Sequence, residues 1–259
     1  MLSSVRQLFG PAAKSGDAPH PEIRLATMND WWRLTGHFPT FRKGSRALLK
    51  NYGYMAICEH IQRYKPERIL EFGHGFNFTL LEMFQHDHEV WGIDDFCHRP
   101  YFNDKEKWEE RYKERIVSNC PKVRLVRGLV GKTAPGVLPE NYFDVVCSVS
   151  VLEEVSRGVL EDLLRHAHKL LRPGGMAVNV IDWRLNDPKR YRNYVQAHRA
   201  AGFDLGTRSV RPPRFDIHDA LLENPGTVML DFQGDETEER RYRGHYGTLL
   251  MKAVETSKR

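Results

Sequence analysis

The sequence predicts an α/β fold, a mostly parallel sheet with helices on both faces. Two observations predict it. Short apolar runs alternate with longer segments of helical period between about residues 45 and 182. The centres of those runs are nearly continuously apolar, as in strands covered on both sides.

The elements follow in order. From Ser45 to Tyr64, Leu48, Leu49, Tyr52, Met55, Ala56 and Ile61 recur at helical spacing; Gly53 weakens that helix and Pro66 stops it. RILEF (68–72) reads as a short buried strand, followed by glycines and the helical stretch FTLLEMFQ (78–85). EVWGID (89–94) is a second strand, and a polar, aromatic helix is expected over 104–118. VRLVRG (123–128) and FDVVCSVS (143–150) are the third and fourth strands. VLEDLLRHAHKLL (159–171) is an amphipathic helix ended by Pro173-Gly174-Gly175, and MAVNVID (176–182) is the fifth strand. A further helix is expected over 189–203, a weak strand at 227–232 and a long one at 246–255, with an exposed hairpin or loop between those two.

Composition narrows the class. Of 259 residues, 41% are apolar and 28% charged, which excludes a fibrous or wholly disordered chain. No apolar run approaches the length of a membrane span. The net charge of +5 permits acidic partners without demanding nucleic acid. It is unevenly spread: residues 1–65 hold ten basic against four acidic residues, and 183–215 hold eight against two. Cys58, Cys97, Cys120 and Cys147 form no closely spaced pair, which fits reduced thiols and a cytoplasmic location rather than a zinc knuckle or disulfide framework. The N-terminus lacks the apolar core of a secretory signal and reads as a short leader. Residues 1–44 are expected to form an arm. Its aromatic, basic stretch at 31–44 reads as either a lid or a cover. Residues 45–259 form the main domain, with an insertion at about 205–245.

The loop after the first strand reads Glu71-Phe72-Gly73-His74-Gly75-Phe76-Asn77-Phe78. Gly73 and Gly75 permit a tight turn and close backbone approach to a ligand. A dinucleotide fingerprint places a third glycine where Phe78 stands. Glu71 would repel a pyrophosphate but suits a ligand carrying ammonium and sulfonium groups. Both features point away from NAD and towards S-adenosylmethionine. Asp94, 23 residues after Glu71, ends the neighbouring strand and suits a ribose diol, with Asp95 expected to point away.

With these residues the chain resembles the class I S-adenosylmethionine-dependent methyltransferases. The carrying segments are ERILEFGHGFNF (67–78), EVWGIDD (89–95), VRLVRG (123–128), LPENYFDVVCSVSVLEEV (138–155) and LLRPGGMAVNVID (170–182). The resemblance implies a Rossmann-like, seven-stranded sheet with its last strand antiparallel. It also implies S-adenosylmethionine as cofactor, held by Glu71, Gly73, Gly75, Asn77, Asp94, Leu129 and Ser148. Two places depart from the family pattern. Leu129 stands where an acid often holds the adenine amino group, leaving backbone and apolar packing for that edge. Glu154 stands where the family often has histidine after Leu-Glu.

Methyl transfer chiefly needs alignment and exclusion of water; a base matters only for a poor nucleophile. Glu154 and then Asp182 are the candidate bases, against plainer readings as a helix-start carboxylate and a loop cap. His74 reads as a spacer in the glycine loop. Arg184 and Arg190 are placed to grip an anionic acceptor, or form a solvated helix face. No metal-ligand spacing is present, so no metal site is expected. The expected activity is methylation of a small molecule, glycan or phosphorylated precursor at oxygen or nitrogen. An RNA-directed methyltransferase or RNA-binding protein remains open, suggested by Trp31, Trp32, Phe38 and Phe41 among the basic residues. So does a non-catalytic cofactor-binding scaffold.

Overall fold

The computed structural model describes residues 22–25, 28–43, 48–75, 78–95, 114, 118–131, 136–184, 188–204 and 243–252. Of these, 22–25, 28–29, 42–43, 48–49, 182–184, 188–191 and 243–252 are described by their backbone alone. The strands are β1 (Glu22–Leu25), β2 (Arg68–Phe72), β3 (Glu89–Asp94), β4 (Arg124–Arg127), β5 (Phe143–Val149), β6 (Leu171–Arg184), β7 (Phe203–Asp204) and β8 (Arg243–Lys252). The helices are α1 (Met28–His37), α2 (Leu48–Tyr64), α3 (Thr79–Phe84), α4 (Arg157–Leu170) and α5 (Pro188–Ala200), with a 3-10 turn at Pro39–Lys43.

The strands form one sheet in the order β1-β8-β6-β5-β2-β3-β4. The five from β6 to β4 run parallel, while β8 pairs antiparallel with β6, β1 and β7. Strand order reverses between β2 and β5, the point at which open sheets of this kind bind ligands beyond their carboxyl ends.

The apolar strand centres follow from burial on both faces. Successive side chains on a strand point to opposite sides. Ile69, Val145 and Val178 accordingly join one core with α1, α2 and α3. Their neighbours Leu70, Val146 and Ala177 join a second core with α4 and α5. All seven residues of β5 are buried. On α4 the buried set Leu160, Leu163, Leu164, Ala167 and Leu170 lies on one stripe. Gly53 has a packing reason: a Cβ there would meet Val149 Cγ1 at 2.7 Å, so the glycine lets α2 lie close against β5.

Several expectations are refined. Helix α4 ends at Leu170, ahead of the Pro-Gly-Gly turn, because Leu171 is already extended and pairs with Phe143. The Pro-Gly-Gly residues instead form an irregularity before Met176 pairs with Val145. Gly175 is needed there, since a Cβ would come within 3.0 Å of the Phe143 carbonyl oxygen. Strand β1, within a segment read as a loose arm, adds to the outer edge of β8. The aromatic, basic stretch packs as a cover: Trp31, Leu34 and Phe38 are buried in the core with α2, and Arg33 pairs with Glu59. Burial withdraws Trp31 and Phe38 from any role as stacking platforms for single-stranded RNA; Phe41 is partly buried, and of the four Trp32 stays exposed. The helix expected over 104–118, apart from residues 114 and 118, the strand at 227–232 and residues 205–242 lie outside the described residues.

Candidate active site

The loop after β2 is shaped by two glycines and one acid. Gly73 has φ +70° and its N–H donates to the Ile93 carbonyl oxygen at 2.9 Å. A Cβ on Gly73 would lie 2.4 Å from Val151 Cγ2, so only glycine fits. Gly75 has φ +54° with open space where its Cβ would be. Its N–H donates to Asp94 Oδ2 at 2.7 Å. Gly128 N–H donates to the Asp94 carbonyl oxygen at 3.0 Å, which ties the β4 exit to the β3 exit. Asp94 thus joins the loops that follow three strands.

A cleft of about 710 Å³, its open mouth included, lies over these loops. Its lining includes Gly73, Gly75 and Asp94, then Leu129, Val130 and Leu163, and also Ser150, Val151, Glu154 and Val155. Most of the lining is apolar, and its polar side chains are Asp94, Asp95, Ser150 and Glu154. Ser150 has φ +54°, a strained conformation for serine, as β5 turns out of the sheet into this rim. Its N–H donates to the Val180 carbonyl oxygen at 2.8 Å.

Gly73, Gly75, Asp94, Leu129 and Glu154 therefore meet in one cleft, although they lie at or beyond the ends of four different strands. Glu154 is exposed at the rim, with its N–H donating to the Val151 carbonyl oxygen at 3.0 Å. Asp182 and Arg184 fall near the end of β6, and Arg190 in the first turn of α5. Asn77 lies outside the described residues. Ser148 does not line the cleft. It is fully buried, and its hydroxyl donates to Asn179 Oδ1 at 2.8 Å, pinning β5 to β6 beneath the rim.

Asp95 corrects an expectation. The strand ends at Asp94, and where the chain leaves the sheet both acids line the same concave rim. Ser150, Val151, Val155 and Leu163 are further cleft residues that sequence reasoning missed. For Ser150 the signal is a left-handed backbone, which no residue pattern records; Leu163 reads as one more apolar position of an amphipathic helix.

Glu71 lies beneath the loop rather than in the cleft. It is 2% exposed, faces Cys58 and Cys147 under α2, and its Oε2 has no hydrogen-bond partner among the described residues. Burial, reinforced by the charge of Asp94, pushes its carboxyl up to about 8. At neutral pH it is therefore largely protonated and presents little charge to a cationic ligand. Burial likewise raises the Cys58 and Cys147 thiols, which keeps them unreactive. His74 turns inward too. Its ring packs against Phe78 and over Gly92, Nδ1–H donates to the Gly75 carbonyl oxygen at 3.0 Å, and burial lowers its pKa. It supports the loop from below.

Among the described residues no His, Cys, Asp and Glu cluster could hold a metal ion, and no helix is long and apolar enough to cross a membrane.

A parallel sheet, a glycine turn at its switch point, an acid ending the next strand and apolar side chains in the same lining make a cleft where open α/β sheets bind ligands. Residues 70–179 match the profile of the methyltransferase domain family. The matched stretch takes in the carboxyl ends of β2, β3, β4 and β5, which build the cleft. No curated protein sequence matches it. Similar solved structures include the YcgJ protein from Bacillus subtilis, 14% identical, covering 78% of this chain and 98% of that one, with a TM-score of 0.49. A TehB-like SAM-dependent methyltransferase from Corynebacterium glutamicum is 12% identical over 86% of this chain and 98% of its own, with a TM-score of 0.48. PKMT2 from Rickettsia typhi, in complex with AdoHcy, is 14% identical over 74% of this chain and 49% of its own, with a TM-score of 0.44.

The cleft has features that a nucleoside joined to an amino acid requires: glycine backbone without a Cβ, acids at its rim, and the apolar side chains Ile93, Leu129, Val130 and Leu163.

Proposed function

We propose that the enzyme methylates a small molecule, or a glycan or phosphorylated precursor, at oxygen or nitrogen, with Glu154 as general base. The observation that carries this reading is the position of Glu154, an exposed carboxylate on a mostly apolar cleft whose other acids, Asp94 and Asp95, follow a different strand. S-adenosylmethionine supplies a methyl group already activated on a sulfonium. The chain's own residues then have three tasks. Gly73, Gly75 and Asn77 hold the amino-acid tail, Asp94 accepts hydrogen bonds from the ribose, and Leu129 packs against the base. Glu71 and Ser148 support that site from beneath. Val151, Val155 and Leu163 keep water from the reacting atoms, which favours in-line transfer over hydrolysis.

Glu154 takes the proton from an acceptor hydroxyl or amine as the new bond forms. Asp182, close to the end of β6, is the second carboxylate available on the acceptor side. Arg184 and Arg190 bind an anionic group on the acceptor, for which the excess of basic residues at 183–215 is the support.

Transfer of label from S-adenosylmethionine, measured on pairs of phosphorylated and dephosphorylated acceptors, tests the reading. Glu154→Gln should lower kcat on a hydroxyl acceptor by about a hundredfold or more while cofactor affinity stays nearly unchanged. An unaltered kcat would remove Glu154 as the base. Reversing Arg184 and Arg190 to Glu should raise KM for the phosphorylated member of each pair only. Equal effects on both members would exclude an anionic acceptor.

A further inference from the structure

We propose that the projecting end of β6 and β8 is an anion site, at which Arg184 and Arg243, opposite each other in register, bind a terminal phosphate group of the acceptor. The inference rests on the anionic acceptor proposed above and names its chemical class, a phosphate monoester.

The strands of the sheet stop at different levels. Strand β5 ends at Val149, opposite Val180 of β6. Strand β1 ends at Leu25, opposite Tyr246 of β8, and Tyr246 in turn faces Ile181. Three further pairs of β6 and β8 continue beyond that level: Asp182 with His245, Trp183 with Gly244, and Arg184 with Arg243. Among the described residues neither β5 nor β1 accompanies them, so they form a two-stranded extension of the sheet. It begins at the cleft. Ser150, which lines the cleft, donates its N–H to the Val180 carbonyl oxygen, and the extension runs on from there.

Register also fixes which residues share a face. Val178 and Val180 belong to the core with α2, so alternation puts Asp182 and Arg184 on the same face of β6. Residues directly opposite in an antiparallel pair share a face, which adds His245 and Arg243. Helix α2 leads into the start of β2, so its first turns lie towards the carboxyl ends of the strands. At Gly53 it lies against Val180, where a Cβ would be 3.4 Å from the valine Cβ. From Gly53 back to Leu48 the helix spans about 7–8 Å, whereas from Val180 to Arg184 the strand spans about 13 Å. The Arg184–Arg243 pair therefore lies beyond the end of α2.

Like charges directly opposite in an antiparallel ladder are destabilising. This pair sets two arginines against each other, and Asp182, the one acid of the extension, stands opposite His245 instead. A bound anion turns that repulsion into attraction. Two arginine charges match a phosphate monoester, which carries nearly two negative charges at neutral pH, and arginine holds phosphate oxygens through paired N–H donors. A phosphate diester carries one charge and leaves the excess uncancelled. An acceptor whose phosphate is held here extends back along β6 towards the cleft.

The test is thermal unfolding of the full chain at pH 8 in inorganic phosphate, in dimethyl phosphate and in sodium chloride, at matched ionic strength. Inorganic phosphate at ten times its dissociation constant should raise the wild-type melting temperature by about 3–6 °C above chloride, and dimethyl phosphate by less than half as much. Arg184→Ala and Arg243→Ala should each remove most of that shift. Without phosphate, both should melt no lower than wild type, because each relieves the repulsion. Arg243→Lys keeps the charge and should keep part of the shift, which covers the case where alanine unsettles the strand. A full shift in Arg243→Ala, or dimethyl phosphate matching inorganic phosphate, would overturn the inference. Loss of the shift in Arg190→Ala with Arg243→Ala unaffected would leave the anionic acceptor standing and overturn the assignment to β8. Wild-type protein that phosphate does not stabilise would overturn both.

Discussion

The two ends of the sheet are built differently. At the amino-terminal end polar groups are matched. Asp144 accepts the backbone N–H groups of Glu67 and Arg68, each at 2.8 Å, and pairs with Arg172, which ties together the starts of β2, β5 and β6. Glu89 accepts from Trp91 Nε1 and from the Tyr142 hydroxyl at 2.9 Å each, while Arg124 stands 3.3 Å away and stacks over Trp91. These partners hold Glu89 below the ordinary carboxyl range, against the opposing effect of burial. At the carboxyl-terminal end the glycine loop and Ser150 take left-handed conformations, and Glu71 is buried with one oxygen lacking a hydrogen bond. Left-handed non-glycine residues occur at both ends, Lys65 and Asn141 at the first and Ser150 at the second, so the difference is that one end pairs its acids and the other buries one beneath the cleft.

The largest break in this contrast is expected at Glu71. Its unfolded carboxyl ionises near 4.5 and its folded one near 8. The folded state keeps the extra proton across that window, so its stability falls as pH rises from 4.5 through 8. The ceiling is roughly 4–5 kcal/mol. Thermal unfolding between pH 7 and 9 should show the wild-type melting temperature falling while Glu71→Gln stays nearly level. Parallel slopes in the two proteins would acquit Glu71. His198 does not blur that window: burial lowers it to about 3, so its effect is a loss of stability as pH falls below its ordinary value of 6.5.

A smaller effect is expected at the matched end. Asp144→Ala leaves two backbone N–H groups short of their acceptor and should cost about 2–3 kcal/mol in denaturant unfolding, with little change in cofactor affinity. Most of the cost belongs to those N–H groups, because half of the Arg172 side chain is exposed and its ion pair is screened. A loss of affinity as large as the loss of stability would mean that the two ends are not independent. The smallest change is expected for Tyr142→Phe, under about 1 kcal/mol, since its bond to Glu89 lies where water can replace it.

Strands β2 and β3 were legible to the residue, because a short apolar run ended by a glycine turn in β2 and by paired acids in β3 leaves little choice of boundary. That Gly73, Gly75 and Asp94 would come together was also legible, and they line one cleft. The surroundings of that cleft were not. Glu71 reads in sequence as a charge beside the ligand, yet strand alternation turns it beneath the loop, where two cysteines and α2 remove its water. The aromatic residues at 31–41 have no clear period, so their burial under α2 could not be read from spacing. Leu163 carries no mark separating a core leucine from a cleft leucine.

Local pattern determined which segments are strands and which are helices, since alternation, helical period and turn residues act within a few residues of one another. It also determined that glycine and an acid follow consecutive strands. Only the tertiary structure decided that β1 joins the edge of β8, that Asp95 shares the rim with Asp94, and that Glu71 holds its proton. Those outcomes depend on solvent exclusion and on contacts between residues far apart in the chain, and neither quantity is written in any short stretch of sequence.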